Sequence, residues 1–432
     1  MRFIIYGAGN RGKETLKVIG GDNVVAFADF DNTKCGTEYC NLPVVKVNEL
    51  QIFSDKSICI VTPVNGRTKI VEELKESGIK NCIPLKAFDN ALSYGKDFIF
   101  NAIFSQYGGH NIVIYGLSAG SIMLYEYLAE RMQKQIFLAY DKKEEVIDSL
   151  YDWGVKAFDL CDICQKVDIV ISTERYLPVE IKKIIPEKVK IIELQDLLET
   201  NVIFYNKQIE AFRNIHHGQR CFIVATGPSL LMQDLELLRE HGEKCISMNR
   251  IYNLFEQTKW RPDYYMIEDT MMIEDLHREI AEMDVPVKFV SSIPEEYWKQ
   301  KDVGNSIQYQ LICLDMMRGE LPLFSERVER CVYEGSTVTY ACIQLAVYMG
   351  FNEIFLLGVD FNYSQDLYDE KNHFIGYQKD KKVRLNTVYP ERMQAAYESA
   401  REYADAHGIK IYNATRGGKL EVFERVNFDA LF

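Results

Sequence analysis

The most informative absence in this 432-residue sequence is that of a long apolar run. No stretch approaches the roughly 20 consecutive apolar residues that a membrane-spanning helix requires, so the sequence predicts no transmembrane segment. The opening residues also lack the cationic front and apolar core of a secretory signal peptide, and they are typical of a β-strand that runs into a turn. We therefore expect a cytoplasmic protein.

The sequence also lacks an excess of positive charge and a second pair of closely spaced cysteines. Its 50 basic residues are outnumbered by 63 acidic ones, for a formal net charge of -13. This balance argues against a protein that binds nucleic acid through bulk charge, but it allows a local pocket for a nucleotide. The eleven cysteines are scattered, many in apolar runs, which is typical of buried, reduced thiols. Cys161 and Cys164 form one CxxC, and without a second pair we predict no metal site.

The N-terminal half contains a repeat with a period of about 110 residues. FIIYGAGNRGKETLKVI, which starts at Phe3, is matched by IVIYGLSAGSIMLYEYL, which starts at Ile112. Each copy has the pattern of a strand, a glycine turn and a helix, and further strands follow at matching positions. Such alternation favours parallel sheets with crossover helices. We predict an α/β fold that begins with two small Rossmann-like units, residues 1–105 and 106–200.

A third α/β region, residues 201–432, is predicted to be a GT-A-like or Rossmann-like domain. Residues 206–220 are predicted to form a helix that leads into the strand CFIVAT. Later strands are predicted at KCISMN, DYYMIED, VKFVSS, EIFLLGVDF and IKIYNAT. Helices are predicted at TVTYACIQLAVYMG and at PERMQAAYESAREYADAHG, which ends in a glycine stop. The segment 363–389 has no clear period, and we predict a long loop or lid there.

The first candidate site is GAGNRG, which follows the first strand and fits the pattern GxGxxG. In that pattern the glycines let the backbone approach a pyrophosphate, and an acid at the end of the next strand holds a ribose. The candidate nucleotide-binding residues are Gly7, Gly9, Gly12 and Asp29. The unit is too short to include the half that usually binds a nicotinamide, which favours binding, regulation or assembly as its role. It resembles the N-terminal domain of PglD-like sugar acetyltransferases, which binds a nucleotide sugar.

The second candidate site begins where the strand CFIVAT ends and a helix pattern follows. Glycine and proline in this turn would let a phosphate approach the free N–H groups at a helix N-terminus. Asn249 and Asp269 come at the carboxyl ends of the next strands, where open α/β sheets bind ligands. Asp360 ends a later strand and either binds a ligand or caps the following turn. The candidate nucleotide-binding residues are Thr226, Gly227, Pro228, Ser229, Asn249, Asp269, Thr337 and Asp360.

In their order along the chain, these motifs resemble the bacterial sialyltransferases of glycosyltransferase family 42. They resemble equally the motility-associated factor (Maf) flagellin glycosyltransferases and the MptE-like domain that is shared with them. The shared features are a GPSL turn, an Asn after the second strand, a Ser/Thr-led helix ending in GF and the strand EIFLLGVDF. A Tyr and a His in the next loop and the final YNATRGGKLEVF complete the pattern, which covers residues 215–420 approximately.

The resemblance implies roles for individual residues. In these sialyltransferases the turn and the Asn hold a cytidine nucleotide, and a loop histidine, here His373, is the general base. Tyrosines donate hydrogen bonds to the leaving phosphate. One of them corresponds to Tyr368, and the other falls on Asn362, next to Tyr363. The implied enzyme is an inverting, metal-independent glycosyltransferase of surface-polysaccharide type. It would move a sialic-acid-like sugar from a CMP-activated donor to a glycan or protein hydroxyl, with no cofactor beyond that nucleotide sugar.

Two other classes of function stay open. MptE-like archaeal proteins transfer pyrophosphate from ATP to a hydroxymethylpterin, which needs Mg²⁺ held by carboxylates such as Asp269 and Asp360. The second of these classes is a non-catalytic scaffold that binds a nucleotide sugar. A nicotinamide-dependent dehydrogenase is the least favoured function. The expected partners are a nucleotide sugar and a glycan or protein acceptor, and no nucleic acid. Peripheral association with a membrane glycan-assembly system and homo-oligomerisation are left open.

Overall fold

A computed structural model describes residues 3–52, 57–63, 67–79, 81–140, 157–201, 205–292, 301–314, 320–363 and 388–432. The chain divides into two compact units, the first made of residues 1–203 with 314–318 and the second of residues 204–313 and 319–432. Both units have the α/β architecture predicted from the sequence, with helices that connect parallel strands.

The first sheet of the first unit has the strand order β3-β4-β2-β1-β5-β6, in which β3 runs antiparallel to β4. Its strands are β1 (Phe3–Tyr6), β2 (Val24–Asp29), β3 (Glu38–Tyr39), β4 (Leu42–Lys46), β5 (Ile58–Val61) and β6 (Cys82–Pro84). The helices around it are Asn10–Ile19, Arg67–Glu76, Ala87–Ala91 and Lys96–Tyr107.

The second sheet of the first unit repeats this order without the antiparallel strand, as β11-β10-β7-β8-β9. Its strands are β7 (Ile112–Tyr115), β8 (Ile136–Tyr140), β9 (Ala157–Asp159), β10 (Ile169–Ser172) and β11 (Lys190–Ile192). The helices are Ala119–Arg131, Leu160–Ile163, Val179–Ile184 and Leu194–Asn201. The two Rossmann-like sheets that the sequence repeat predicts are therefore present.

The repeat extends to individual hydrogen bonds. The hydroxyl of Thr62 donates to the carbonyl oxygen of Tyr6 over 2.8 Å, and that of Thr173 donates to Tyr115 over 3.0 Å. The glycines that follow these tyrosines have φ angles of 110° and 115°. In each of the two sheets, the first strand along the chain thus ends in the same glycine turn. A threonine that follows a neighbouring strand holds this turn in place.

The second unit contains one nine-stranded parallel sheet in the order β17-β16-β15-β14-β13-β12-β18-β19-β20. Its strands are β12 (Arg220–Val224), β13 (Cys245–Met248), β14 (Tyr264–Ile267), β15 (Val287–Ser292), β16 (Ile307–Ile312), β17 (Val332–Tyr333), β18 (Glu353–Leu357), β19 (Lys410–Asn413) and β20 (Glu424–Arg425). The helices are Lys207–Glu210, Met232–Glu240, Thr270–Glu282, Val338–Tyr348 and Pro390–His407. The strands predicted at KCISMN, DYYMIED, VKFVSS, EIFLLGVDF and IKIYNAT are confirmed, whereas β16, β17 and β20 were not predicted from the sequence.

Apolar cores cover both faces of this sheet. The helix Val338–Tyr348 is buried along nearly its whole length, which explains its continuous apolar sequence. The helix Pro390–His407 begins with a proline and ends at Gly408, whose φ of 69° is left-handed, so the predicted glycine stop is confirmed. In the part of the chain that the structure describes, no helix is long and apolar enough to cross a membrane.

The segment before β12 differs from its prediction. Only Lys207–Glu210 is helical, and turns follow. Asn214 and Gly218 have left-handed φ angles of 57° and 77°, which an α-helix does not accommodate. Their N–H groups donate to the carbonyl oxygens of Tyr348 and Gly350 over 3.1 Å each. The segment therefore caps the C-terminus of the helix Val338–Tyr348.

Candidate functional site at the switch point of the large sheet

The candidate site lies where the strand order of the nine-stranded sheet reverses. From β12 the chain builds the sheet towards one edge, and the helix Val338–Tyr348 then returns it to β18 on the other side of β12. Open α/β sheets bind ligands outside the carboxyl ends of the strands at such a point. The turn Thr226–Ser229 follows β12, Asn249 follows β13 and Asp360 follows β18. The fold thus places these predicted site residues at the ends of adjacent strands.

The turn after β12 is bound to Asp360. The N–H group of Gly227 donates to the carbonyl oxygen of Gly358 over 2.9 Å. The hydroxyl and N–H groups of Ser229 donate to Oδ2 of Asp360 over 2.8 and 3.3 Å. These are donors that the sequence analysis assigned to a phosphate. In this structure the Asp360 carboxylate occupies the position that was expected for the anion.

The helix after this turn starts later than the sequence suggested. It begins at Met232, so Pro228 is exposed in a turn ahead of the helix and is not in its first turn. The N–H group of Leu231 donates to the carboxylate of Asp234 over 3.2 Å, and Asp234 is also paired with Arg416 over 2.9 Å. An acidic side chain of the helix's own first turn thus satisfies its N-terminus. A ligand at the turn Thr226–Ser229 would therefore have to pair with the turn's own groups and not with the helix N-terminus.

Asp360 is held by the C-terminal segment as well as by Ser229. The N–H group of Lys419 donates to its carbonyl oxygen over 2.7 Å, and a Cβ atom on Gly418 would lie 2.6 Å from that oxygen. The N–H group of Val359 donates to the hydroxyl of Thr415 over 3.0 Å. Burial raises the pKa of Asp360, and the hydrogen bonds from Ser229 offset only part of that effect. Thr415 and Gly418 were absent from the predicted site, although they lie in the motif YNATRGGKLEVF, which is part of the family resemblance.

Asn249 offers an uncommitted polar group at this edge. Its φ angle of 51° is left-handed, a conformation that asparagine tolerates better than most residues. Its carbonyl oxygen accepts a hydrogen bond from the Tyr265 hydroxyl over 2.7 Å. Its side chain is half-buried and, within the described ranges, has no hydrogen-bond partner. The amide can therefore bind a ligand without breaking an existing contact.

Two acidic residues follow β14. Asp269 caps the helix Thr270–Glu282, because its Oδ1 atom accepts hydrogen bonds from the N–H groups of Met271 and Met272 over 2.9 and 3.3 Å. Glu268 was not among the predicted site residues. Burial raises its pKa well above the usual value, and the charges of Glu334 and Asp269 add to that effect. The acidic pair in DYYMIEDT was the sequence signal that could have indicated Glu268.

Thr337 lies at the N-terminus of the helix Val338–Tyr348. Its hydroxyl oxygen accepts a hydrogen bond from the N–H group of Thr339 over 3.3 Å, so Thr337 is the N-cap. Ser336 has a left-handed φ of 58°, and its N–H group donates to Glu334 over 2.5 Å. Thr337 thus has a structural role, and it is placed next to a chain reversal at the carboxyl edge of the sheet.

Of the predicted catalytic residues, only Tyr363 is described. Its side chain is 39% exposed, and its ring meets that of Phe361 edge to face at 6.2 Å. Tyr368 and His373 lie outside the described residues, so their roles stay predictions from the resemblance.

In the first unit, the three glycines of GAGNRG have three different environments. Gly7 has a φ of 110°, and a Cβ atom on Gly12 would lie 2.0 Å from the carbonyl oxygen of Gly7. A Cβ atom on Gly9 would meet no described atom within 4 Å, which leaves room for a ligand there. Asp29 accepts a hydrogen bond from the N–H group of Ala8 over 2.8 Å and is paired with Lys34 over 3.0 Å. Asp29, which was expected to hold a ribose, therefore stabilises the loop in which it lies.

A magnesium site formed only by protein groups is not evident among the described residues of the switch point. Asp269 and Asp360, the carboxylates expected to hold Mg²⁺ in a diphosphokinase, both accept hydrogen bonds from groups of the protein. Over the described ranges, no three His, Cys, Asp or Glu side chains are grouped to hold a metal ion. Mg²⁺ at this edge would need the phosphates of a bound nucleotide as further ligands. In the CxxC, Cys161 is exposed and Cys164 is buried, and neither forms a disulfide.

Comparison with known families finds a match that covers much of the second unit. Residues 196–366 match the model of the family described as 6-hydroxymethylpterin diphosphokinase MptE-like. The resemblance to an MptE-like domain is thus confirmed for this part of the chain. The matched residues include the turn Thr226–Ser229, Asn249, Glu268, Asp269 and Asp360, and they end before Tyr368 and His373. A comparison with curated proteins finds no match.

Similar solved structures include a Maf glycosyltransferase from Magnetospirillum magneticum AMB-1, at 14% identity and a TM-score of 0.34. The similarity covers 85% of this chain and 67% of that one. One of the subunits of dipicolinate synthase from Bacillus halodurans is similar at 14% identity and a TM-score of 0.20, over 44% of this chain and 80% of that one. Shikimate 5-dehydrogenase from Thermus thermophilus is similar at 11% identity and a TM-score of 0.20, over 45% of this chain and 78% of that one.

Proposed function

We propose that the second unit is a transferase domain that binds a nucleotide-activated sugar at the switch point of its sheet and moves the sugar to a hydroxyl acceptor. The observation that carries the proposal is the uncommitted Asn249 amide at the end of β13, beside the β12 turn and Asp360. A polar side chain held in a left-handed conformation at a ligand-binding edge is a candidate for ligand recognition. The MptE-like match over the same residues supports a role for this domain in binding a nucleotide.

In the proposed reaction, the donor is a CMP-linked sugar of the sialic-acid type. The acceptor hydroxyl attacks the anomeric carbon with inversion, the bond to the CMP phosphate breaks, and His373 takes the hydroxyl proton. Tyr368 and Tyr363 donate hydrogen bonds to the phosphate as negative charge builds on it, a stabilisation that needs no metal ion. A glycan or protein acceptor and a cytoplasmic location belong to the same proposal.

Asp360 gives the proposal a specific requirement. Its carboxylate now receives the hydrogen bonds of the Ser229 hydroxyl and N–H groups, and an ionised carboxylate would repel a phosphate. Nucleotide binding in this turn therefore requires that Ser229 exchange Asp360 for the phosphate. Burial raises the pKa of Asp360, which lowers the cost of protonating this carboxyl group when a phosphate approaches it.

The family match also favours a second candidate, a diphosphokinase that transfers pyrophosphate from ATP to a hydroxyl group. This reaction would need Mg²⁺, which Asp269 or Asp360 would hold together with the nucleotide phosphates and which would offset the negative charge of the transferred group. The two candidates share the nucleotide site and differ in nucleotide and metal dependence. A scaffold that binds a nucleotide sugar without turnover is the third outcome.

Calorimetric titration of the full chain with CMP, CDP, UDP, ATP and NAD, each with and without Mg²⁺, separates these candidates. Metal-independent binding of CMP, followed by turnover of a CMP-sugar, is the result expected for the glycosyltransferase. ATP binding that depends on Mg²⁺ would instead favour the diphosphokinase over the glycosyltransferase. CMP-sugar binding without transfer to any supplied hydroxyl acceptor would indicate the non-catalytic scaffold.

Asn249→Gly tests the residue on which the proposal rests. Glycine accepts the left-handed backbone and removes only the amide, so the fold should be kept while the affinity for CMP falls about tenfold, the scale of one or two hydrogen bonds. Asn249→Ala adds backbone strain to the same loss and should also lower the melting temperature. An unchanged CMP dissociation constant in Asn249→Gly would remove Asn249 from the site.

A further inference from the structure

We infer that Glu268 is a further ligand-binding residue of this site, and that its carboxyl group hydrogen-bonds to a ribose hydroxyl of the bound nucleotide. The inference rests on the proposed function, because it assumes a nucleotide at the switch point. It adds a residue that neither the sequence motifs nor the resemblance indicated, and it assigns the part of the nucleotide that this residue recognises.

The position of Glu268 follows from the register of two paired strands. Met248 of β13 pairs with Met266 of β14, so Asn249 and Glu268 leave the sheet at the carboxyl ends of adjacent strands. Adjacent strands are about 4.8 Å apart, so one small ligand can reach both residues. Tyr264 and Met266 pack in the core that contains the helix Val338–Tyr348, and the alternation along the strand places Glu268 towards the same face.

The carboxyl group of Glu268 is incompletely satisfied by the described part of the protein. There its Oε2 atom is buried from solvent and has no hydrogen-bond partner, a condition that native proteins avoid because burying an unpaired polar atom is costly. The same residue's carbonyl oxygen is satisfied, since it accepts a hydrogen bond from the Ser291 hydroxyl over 2.7 Å. The backbone is thus fixed while a side-chain oxygen is left unpaired at the ligand-binding edge, and a bound molecule would supply its partner.

The neighbours of Glu268 indicate which chemical group that partner is. Glu334 and Asp269 both act on it electrostatically, so a phosphate would be repelled at this position. Both neighbours accept hydrogen bonds from backbone N–H groups, Glu334 from Ser336 and Asp269 from Met271 and Met272. A hydroxyl is uncharged and both donates and accepts hydrogen bonds, so it can pair with the unsatisfied oxygen. In a nucleotide, the hydroxyl groups next to the phosphate and the base are those of the ribose.

The test pairs changes in the protein with changes in the ligand. Wild type, Glu268→Ala and Glu268→Gln are titrated with CMP, 2′-deoxy-CMP and 3′-deoxy-CMP, as full-length proteins without metal. Wild type should bind CMP about tenfold more tightly than one of the deoxy analogues. Glu268→Ala should lose this preference by weakening CMP binding alone. Glu268→Gln should keep part of it, because an amide still pairs with a hydroxyl. Glu279→Ala, on the exposed face of the following helix, removes one carboxylate and should change no affinity.

Three results would overturn the inference. Equal weakening of CMP and both deoxy analogues in Glu268→Ala would show that no ribose hydroxyl is involved. Unchanged binding of all three would place Glu268 outside the site. If the titrations are repeated with Mg²⁺ and the substitution has an effect only then, Glu268 is a metal-binding residue instead.

The outcome also separates this inference from the proposed function. If wild type binds none of the five nucleotides, both fail. If it binds CMP and the Glu268 variants behave as wild type, only the inference fails. Melting temperatures serve as the folding control, and that of Glu268→Ala should be equal to or above that of wild type, because this substitution removes an unpaired buried oxygen. Should Glu268→Ala not fold, the near-isosteric Glu268→Gln still tests the ribose preference against wild type.

Discussion

At the scale of single residues, the site is organised by glycines that let backbone segments converge on Asp360. A Cβ atom on Gly227 would lie 2.1 Å from Oδ2 of Asp360 and 2.3 Å from the carbonyl oxygen of Gly358. Gly358 and Gly418 have left-handed φ angles of 69° and 74°. The turn after β12 and the C-terminal segment can therefore both approach Asp360 closely, although they are far apart in sequence.

Gly227→Ala should destabilise the second unit. The added methyl group has no free space, and because it would displace the Asp360 carboxylate or the β18 backbone, we expect a loss of about 2 kcal/mol in the free energy of unfolding. Urea unfolding followed by circular dichroism measures this loss. Gly9→Ala is the matched control, since its Cβ atom would meet no described atom within 4 Å and its φ is -146°. Equal stability of Gly227→Ala and Gly9→Ala would contradict the packing seen at Asp360.

At the scale of elements, local pattern predicted most of the large sheet and failed where long-range contacts decide the structure. The apolar runs of β12 to β15, β18 and β19 and the glycine stop at Gly408 are local signals, and each was read correctly. The segment 206–220 was read as a helix, but its N–H groups cap a helix whose C-terminus lies more than a hundred residues later in the chain. A hydrogen-bond partner so distant along the chain leaves no signal in the local sequence pattern.

The features of the site likewise divide into those that the local sequence pattern predicted and those that depend on long-range contacts. Asn249, Asp269 and Asp360 were predicted as strand-end residues, and the structure places them at strand ends. The pairing of Ser229 with Asp360 and the unpaired oxygen of Glu268 depend on contacts between separate strands, so the sequence could not predict them. The nature of the ligand follows from neither source alone.

His216, in the capping segment, is buried, and this makes the stability of the protein dependent on pH. Its Nε2 atom is 2.7 Å from the Tyr264 hydroxyl, and its ring stacks on Phe351 at 4.5 Å. Burial lowers the pKa of His216 below its usual value of 6.5, although a hydrogen bond with Gln219 opposes this. As the pH falls below 6.5, the unfolded chain takes up a proton that the folded state resists, so stability is lost as the pH falls from that value towards the folded pKa.

Melting temperatures of wild type, His216→Gln and His217→Gln at pH 7.5 and pH 5.5 test this. Glutamine stays neutral and can still pair with Tyr264, so the drop in melting temperature on acidification should be smaller in His216→Gln than in wild type. His217 is exposed, and its variant should follow wild type. If acidification lowers the melting temperature of all three proteins equally, His216 does not carry the pH dependence.

At the scale of the whole molecule, the two units have separate cores and separate candidate sites. The GAGNRG turn belongs to the first unit, and every switch-point residue that the structure describes belongs to the second. The core of the second unit covers both faces of its own sheet. Such a unit contains the packing that independent folding requires.

A fragment that begins at Tyr205 and ends at Phe432 should therefore fold and bind CMP with an affinity within about twofold of the full chain, because each predicted contact to the nucleotide lies inside it. Circular dichroism would establish folding, and calorimetry would give the dissociation constant for both proteins. The full chain carrying Asn249→Gly is the control for CMP binding at the switch point. A folded fragment that does not bind CMP, beside a full chain that does, would assign the nucleotide to the first unit, with the open position at Gly9 as the place to look next. Equal affinities would instead leave the Rossmann-like sheets of the first unit free for a ligand or partner of their own.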